Sequence, residues 1–246
     1  MKRFSWQVTL GLSLILLSVL FYFIHYAIFR DAHHIFIYLV GDIAFVPIEV
    51  LLVTLIIHRL LNEREKRMRL EKMNMVIGTF FSEVGTRLLT YLSDFDPHLD
   101  KIRSDLIVTN NWSEQEFANV NKHLRNYEYE VDIKKINLEN LKKLLLGERD
   151  FLLQLLQNPN LLEHESFTEH LRAVFHLTEE LACREDLRHL PDADTNHLAI
   201  DIKRAYGLIV HQWLDYMKHL KNSYPYLFSL AMRTNPFDQN ASPIIR

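Results

Sequence analysis

The feature that most constrains this chain is a long stretch with no charge to keep it in water. Residues 4–29 are 26 consecutive positions without Asp, Glu, Lys or Arg. Between residues 32 and 58 the only such charges are Asp42 and Glu49. A bilayer core takes about 20 apolar residues in a helix that rises about 1.5 Å per residue. Residues 6–29 and 35–57 each meet that length, and both are apolar on every face, whereas a soluble helix keeps a polar one. We read them as two transmembrane helices. A cleaved signal peptide is the rival reading of the first, with Met1-Lys2-Arg3 as its basic end. Its apolar run is far longer than the roughly 7–15 residues of such a segment, and no A-x-A-like site follows.

The distribution of Lys and Arg sets an orientation. Lys2 and Arg3 precede the first span, while Arg59, Arg64, Lys66, Arg67, Arg69 and Lys72 follow the second. The connecting loop, residues 30–34, carries only Arg30. Positive charge stays inside, so both termini are expected in the cytoplasm of a plasma (inner) membrane, with a very short outer loop and two antiparallel helices. Trp6 falls at the inner interface and Tyr22, Tyr26 and Tyr38 near the outer one, where amphipathic rings settle. The sequon at Asn111 is then cytoplasmic and carries no glycan. Arg59, Arg64, Lys66, Arg67 and Arg69 lie within reach of anionic headgroups, or serve only to set this topology.

Polar groups at membrane depth are the most informative residues of the hairpin. A charge at mid-membrane costs at least about 2.5–3.5 kcal/mol, so it is neutralised, paired or wetted. From the helical rise, His25 lies about 6 Å, Asp42 about 10 Å and Glu49 about 21 Å from the outer end. His25 and Asp42 are then level with each other across the pair. Asp42 and Glu49 are seven apart and share a helical face. Gly41 permits close approach of another helix. Pro47 frees the carbonyl of Ile43 and is expected to kink the helix. Two readings stay open. In one, several hairpins form a ring whose Asp42/Glu49 face conducts cations. In the other, these groups fix register and assembly in a homo-oligomer.

After residue 59 the chain is ordinary and polar, and the mean hydropathy of −0.06 averages these two unlike regions. A helix without proline runs from the membrane to about residue 93. Met73, Ile77, Phe80, Val84, Leu88 and Tyr91 form its apolar stripe. Gly78, Ser82 and Gly85 form a small-residue strip on which another helix can pack. Asp94 to Pro97 ends it. Capping boxes start helices at Ser113 and Ser166. Asn137 caps a helix over residues 138–157 that stops at Asn158-Pro159. Further helices are expected over residues 167–189, from Thr195 to about residue 222, and from Pro225. Residues 235–246 read as an irregular tail. With six glycines and seven prolines in 246 residues, no alternating strand and no Gly-rich turn, the chain is all-α. The expected architecture is a transmembrane hairpin (1–61), a juxtamembrane amphipathic helix (62–96) and a cytoplasmic bundle (97–234) of about six helices in all after the membrane.

Little in the sequence carries chemistry. A net charge of −3 and a pI near 6.5 give no reason to expect nucleic acid as a partner. One cysteine, Cys183, excludes a disulfide framework and reads as a small core residue. No nucleotide, protease or kinase motif occurs, so no enzyme activity and no cofactor is expected. His176–Glu180, His197–Asp201, His211–Asp215 and Asp215–His219 are spaced i,i+4, and Asp186–His189 is spaced i,i+3. Such pairs are commonest as solvated helix faces. A metal site needs matching ligands on facing helices, and no repeated Glu-x-x-His announces one. The aromatic residues Tyr206, Trp213, Tyr216, Tyr224, Tyr226 and Phe228 read mainly as core.

Residues 33–61, HHIFIYLVGDIAFVPIEVLLVTLIIHRLL, followed by NEREKRMRLEKMNMVIGTFFSEVGTRLL (62–89), resemble a group of uncharacterised prokaryotic two-span integral membrane proteins. The resemblance is good over residues 5–95 and loose beyond. It implies a bacterial or archaeal inner-membrane protein with a cytoplasmic helical domain, and no activity or catalytic residue. The sequence therefore points to an anchor, scaffold or signal relay that oligomerises through its hairpin and binds a cytoplasmic protein partner. An Asp42/Glu49 channel is the runner-up and a membrane-tethered metalloenzyme the third reading.

Overall fold

The computed structural model describes residues 6–159, 161 and 165–245. Lys2 and Arg3, on which part of the orientation rests, lie outside the described residues. The described chain is all-helical, with no strand. It divides into two compact units, residues 1–66 and 67–246.

The first unit holds α1 (Trp6–Phe29) and the start of α2 (Ala32–Phe80). Both are long and apolar enough to cross a membrane. The turn between them is tighter than expected, because α2 already begins at residue 32. Arg30 adopts a left-handed backbone (φ 51°), and its N–H returns to the Tyr26 carbonyl at 2.8 Å. Asp31 then accepts the N–H of His34 at 3.1 Å, capping the new helix. Helix α2 runs through Pro47 without interruption.

In the second unit, the end of α2 is followed by a π turn (Phe81–Gly85) and α3 (Thr86–Ser93). The π turn inserts one extra residue per turn and rotates the faces on either side of it. Phe80 and Phe81, though adjacent, are therefore both buried, as are Leu88, Leu89 and Leu92, while Tyr91 is only half-buried. The same rotation breaks the expected small-residue strip. Gly78 faces the Tyr216 ring and Gly85 is buried, but Ser82 is exposed. A Cβ at Gly85 would stand 2.6 Å from ring atoms of Phe80 and Phe81, so only glycine fits without a shift.

One-turn α4 (Asp100–Arg103) leads to α5 (Glu114–Arg125), whose start is the expected capping box of Ser113 and Glu116. Asn137 caps α6 (Leu138–Gly147) by accepting from Asn140 N–H at 3.0 Å. The single helix expected here is broken at Glu148 (φ −110°, ψ 8°), and α7 (Arg149–Leu156) follows. Gly147 lowers helix propensity at the break, and Glu148 is turned to Arg87, 2.9 Å away.

Helix α8 (Glu165–Ala182) begins before Ser166, which is therefore inside the helix and not its cap. It also ends seven residues earlier than expected. Arg184 stops it by reaching across to Asp194, at 2.6 and 2.8 Å, as well as back to Glu180. Asp194 and Glu180 hold the Arg184 guanidinium well above its usual pKa. Cys183, just beyond the end of α8, is exposed, which corrects its reading as a core residue. Helix α9 (Asp192–Ser223) starts at Pro191, so Thr195 lies in the first turn and donates its hydroxyl to the Pro191 carbonyl.

Helix α9 is the centre of this unit. It packs against α8, α5, α3, the π turn and α10 (Pro225–Arg233). Tyr206, Trp213 and Phe228 are core as expected, and Tyr216 stacks on Phe81 at 5.0 Å, while Tyr226 is exposed. Residues 235–245 form no helix, but they are not a loose tail. Asn235 donates its amide to the buried Leu106 carbonyl at 2.8 Å, and the buried Phe237 meets Trp213 edge-on at 5.0 Å.

Two predictions follow from this packing. Phe237→Ala leaves a cavity against Trp213 and lowers the unfolding free energy by about 3–5 kcal/mol, read from denaturant unfolding of the full chain in detergent. Burial, and secondarily Arg125, holds the His211 pKa below its ordinary value. The unfolded state then binds the proton more readily, so stability is full above about pH 6.5 and falls as the pH drops below it. His211→Gln flattens this acid-side fall in thermal midpoint. His219, lowered chiefly by burial, retains part of it.

Candidate functional site

The polar residues of the hairpin fall into two groups. Ser18, Tyr22, His25, Tyr38 and Asp42 line one open groove of 620 Å³ between α1 and α2, together with Leu, Phe and Ile side chains. His25 and Asp42 are thus in the walls of one groove, as their depths suggest. The His25 Nδ1 is buried and makes no hydrogen bond among the described residues. Its ring lies 4.8 Å from Phe29 and parallel to His34 at 6.4 Å. Glu49 does not line this groove. Pro47 and Glu49 are both exposed within the unit. A side chain added at Gly41 would meet nothing within 4 Å, so the close approach expected there is absent within the hairpin and the face stays open.

The basic residues Arg59, Arg64, Lys66, Arg67 and Arg69 are all exposed. Arg59 pairs with Glu63 at 3.2 Å, a solvated i,i+4 contact.

The His/acid pairs do not share one fate. Asp186 and His189 meet at 2.8 Å on the surface. Asp215 accepts from Asn121, and His219 faces the Asn74 amide at 3.1 Å. The remaining two pairs are brought together. His176 and Glu180 on α8 face His197 and Asp201 on α9. The Nε2 atoms of both histidines lie 3.4 Å from the same oxygen of Asp201. Glu180 lies 3.7 Å from His176 and 3.6 Å from His197. Donor atoms of His176, Glu180 and His197 all fall within 4.8 Å of one another, a spacing that can hold a metal ion. Arg184 and, more weakly, the two histidines hold the Glu180 carboxyl below its usual pKa. The spacing of each pair was legible in the sequence. Their juxtaposition was not, because it depends on the register of α8 against α9.

Sequence reading passed over a second polar cluster. Asp96, buried at the bend after α3, accepts the Tyr127 hydroxyl at 2.9 and 3.0 Å and the His98 N–H at 2.9 Å. Burial, then Asp96, raises the Tyr127 pKa. Tyr127, Tyr129 and Tyr206 stack edge-on in sequence, and a Cβ at Gly207 would press to 2.9 Å on the Tyr129 ring. The arrangement ties the bend to α9 and is structural.

Comparison with known proteins gives the same two-part division. Residues 2–61 match a family model described as "MJ1433, N-terminal helical domain". Residues 69–233 match one described as "Uncharacterized protein MJ1433, C-terminal helical domain". The protein of that name from Methanocaldococcus jannaschii is 50% identical over 244 residues, covering 99% of this chain and 97% of its own length. No solved structure matches. On this identity and coverage, the chain belongs to the MJ1433 family of proteins with N- and C-terminal helical domains.

Proposed function

We propose that this protein is a membrane-anchored helical scaffold. Its hairpin inserts with both termini on the cytoplasmic side of the plasma membrane and associates with further copies, and residues 67–246 offer a helical surface to a cytoplasmic protein partner. The observation that carries this reading is the exposure of the hairpin. No residue of α1 is buried, although the helix is long and apolar enough to cross a membrane. Burying a large apolar side chain is worth about 1.5–3 kcal/mol, so leaving more than a dozen of them in water would cost on the order of tens of kcal/mol. Lipid removes that cost. The basic run after the second span supports the inward orientation.

Assembly is supported by the open face at Gly41 and by the groove that holds His25 and Asp42, since polar groups in lipid find partners on other helices. A channel lined jointly by Asp42 and Glu49 is less well supported, because Glu49 stands outside that groove.

The sole cysteine gives a direct test of topology. The full-length protein is expected in the membrane pellet, released by detergent but not by high salt or alkaline carbonate. Cys183 is expected to resist a membrane-impermeant thiol reagent in intact cells and to react once the cells are lysed. Labelling in intact cells would reverse the orientation, and recovery in the soluble fraction would defeat the anchor. Gly41→Ile is expected to lower the mass of the detergent-solubilised particle toward that of one chain, read by light scattering.

A further inference from the structure

We propose that His176, Glu180, His197 and Asp201 form a binding site for one divalent transition-metal ion of the zinc class, joining α8 to α9. The anchor and scaffold reading neither requires this site nor implies it.

The first support is a buried oxygen without a hydrogen bond. Asp201 is only 3% exposed, so its carboxylate has left water. Its Oδ2 makes no hydrogen bond among the described residues, and it is the atom aimed at both imidazoles. The other oxygen, Oδ1, has Arg204 at 3.6 Å. A buried carboxylate oxygen without a hydrogen bond is costly, and coordination to a metal is one arrangement that removes the cost. The two Nε2 atoms stand 3.4 Å from it, too far for a good charge-assisted hydrogen bond, which closes to about 2.7–2.9 Å.

The second support is the spacing of the donors. Zinc holds histidine nitrogen and carboxylate oxygen at about 2.0–2.2 Å, so neighbouring donors of a tetrahedral site are about 3.3–3.6 Å apart. Both histidine Nε2 atoms lie 3.4 Å from Oδ2 of Asp201, and Glu180 offers Oε1 at 3.7 Å from His176 and Oε2 at 3.6 Å from His197, so each imidazole has two carboxylate oxygens near this spacing. Imidazole with carboxylate suits zinc and its first-row neighbours and not calcium, which takes oxygen donors only.

The surroundings favour a built site over a chance meeting of surface charges. Each helix contributes a His and an acid at i,i+4, so one face of each supplies two donors. Arg184 binds Oε2 of Glu180 at 2.7 Å and is itself gripped by Asp194, which fixes that carboxylate with Oε1 turned to His176 and the shared Oε2 toward His197. Ligating carboxylates are ordinarily held in this way by hydrogen bonds from outside. His176 and His197 are 47% and 50% exposed, so an ion enters from solvent without opening the core.

The test uses the full-length chain in detergent, stripped with EDTA and dialysed into metal-free buffer. Titration with zinc chloride by calorimetry is expected to show one ion bound per chain, and a saturating concentration is expected to raise the thermal midpoint. His176→Gln and His197→Gln alter half-exposed side chains, and their folding is checked by far-UV circular dichroism. Each is expected to weaken zinc binding by more than the about 10–100-fold that loss of an outer partner costs. Asp201→Asn is expected to do the same, and the two histidine variants decide the matter if it fails to fold. His189→Gln, at the separate surface pair, is expected to leave binding unchanged. No zinc bound by the wild-type chain, or binding undiminished in both His176→Gln and His197→Gln, overturns the proposal and leaves a cluster of plain ion pairs.

Discussion

Helix α9 is the surface against which α8, α5, α3, the π turn and α10 are assembled. Its buried residues include Leu198, Ile202, Tyr206, Val210, Trp213 and Met217, and they serve several partners at once. A helix that meets neighbours on more than one side fixes both their distance and their rotation, since interiors are close-packed and do not deform continuously. The placing of α8, and hence of the paired histidines, follows from this. The anchoring of Phe237 on Trp213 does too, so that a segment without helix becomes part of the core.

Much of this was legible in local chemistry. The Ser113 box and the Asn137 cap name helix starts because they satisfy orphan N–H groups within four residues. Pro225 does the same through its fixed φ at the first helical position. The readings that failed needed long-range information. Nothing within α8 announces that it stops at Ala182, because the cause is Asp194, ten residues beyond Arg184 and on the next helix. The cap-like Ser166 lies inside α8, which begins at Glu165. The small-residue strip of Gly78, Ser82 and Gly85 assumes an unbroken period of 3.6, and the π turn removes that period.

The candidate metal cluster shows the same division. Each i,i+4 pair is visible on its own helix, and alone each is a weak solvated contact. What changes their meaning is the burial of Asp201, and burial belongs to the packing of two helices. The hairpin is the opposite case. There the solvent argument needs no tertiary contact at all, because composition and length suffice. Its polar residues need neighbours to be understood, and among the described residues Glu49 is exposed and the face at Gly41 is open.

The π turn at Phe81–Gly85 has one more consequence. An ordinary α-helical turn would need one residue fewer there. Losing a residue at this point would not unravel the helix. It would let the ladder close regularly and swing the Met73 and Ile77 side of α2 by about one residue's angle, roughly 100°, around its own axis. Insertion or deletion of a single codon would thus act here as an adjustment of azimuth, a coarse dial by which a lineage could present a different side of α2 to α9 while leaving every flanking hydrogen-bonded turn intact.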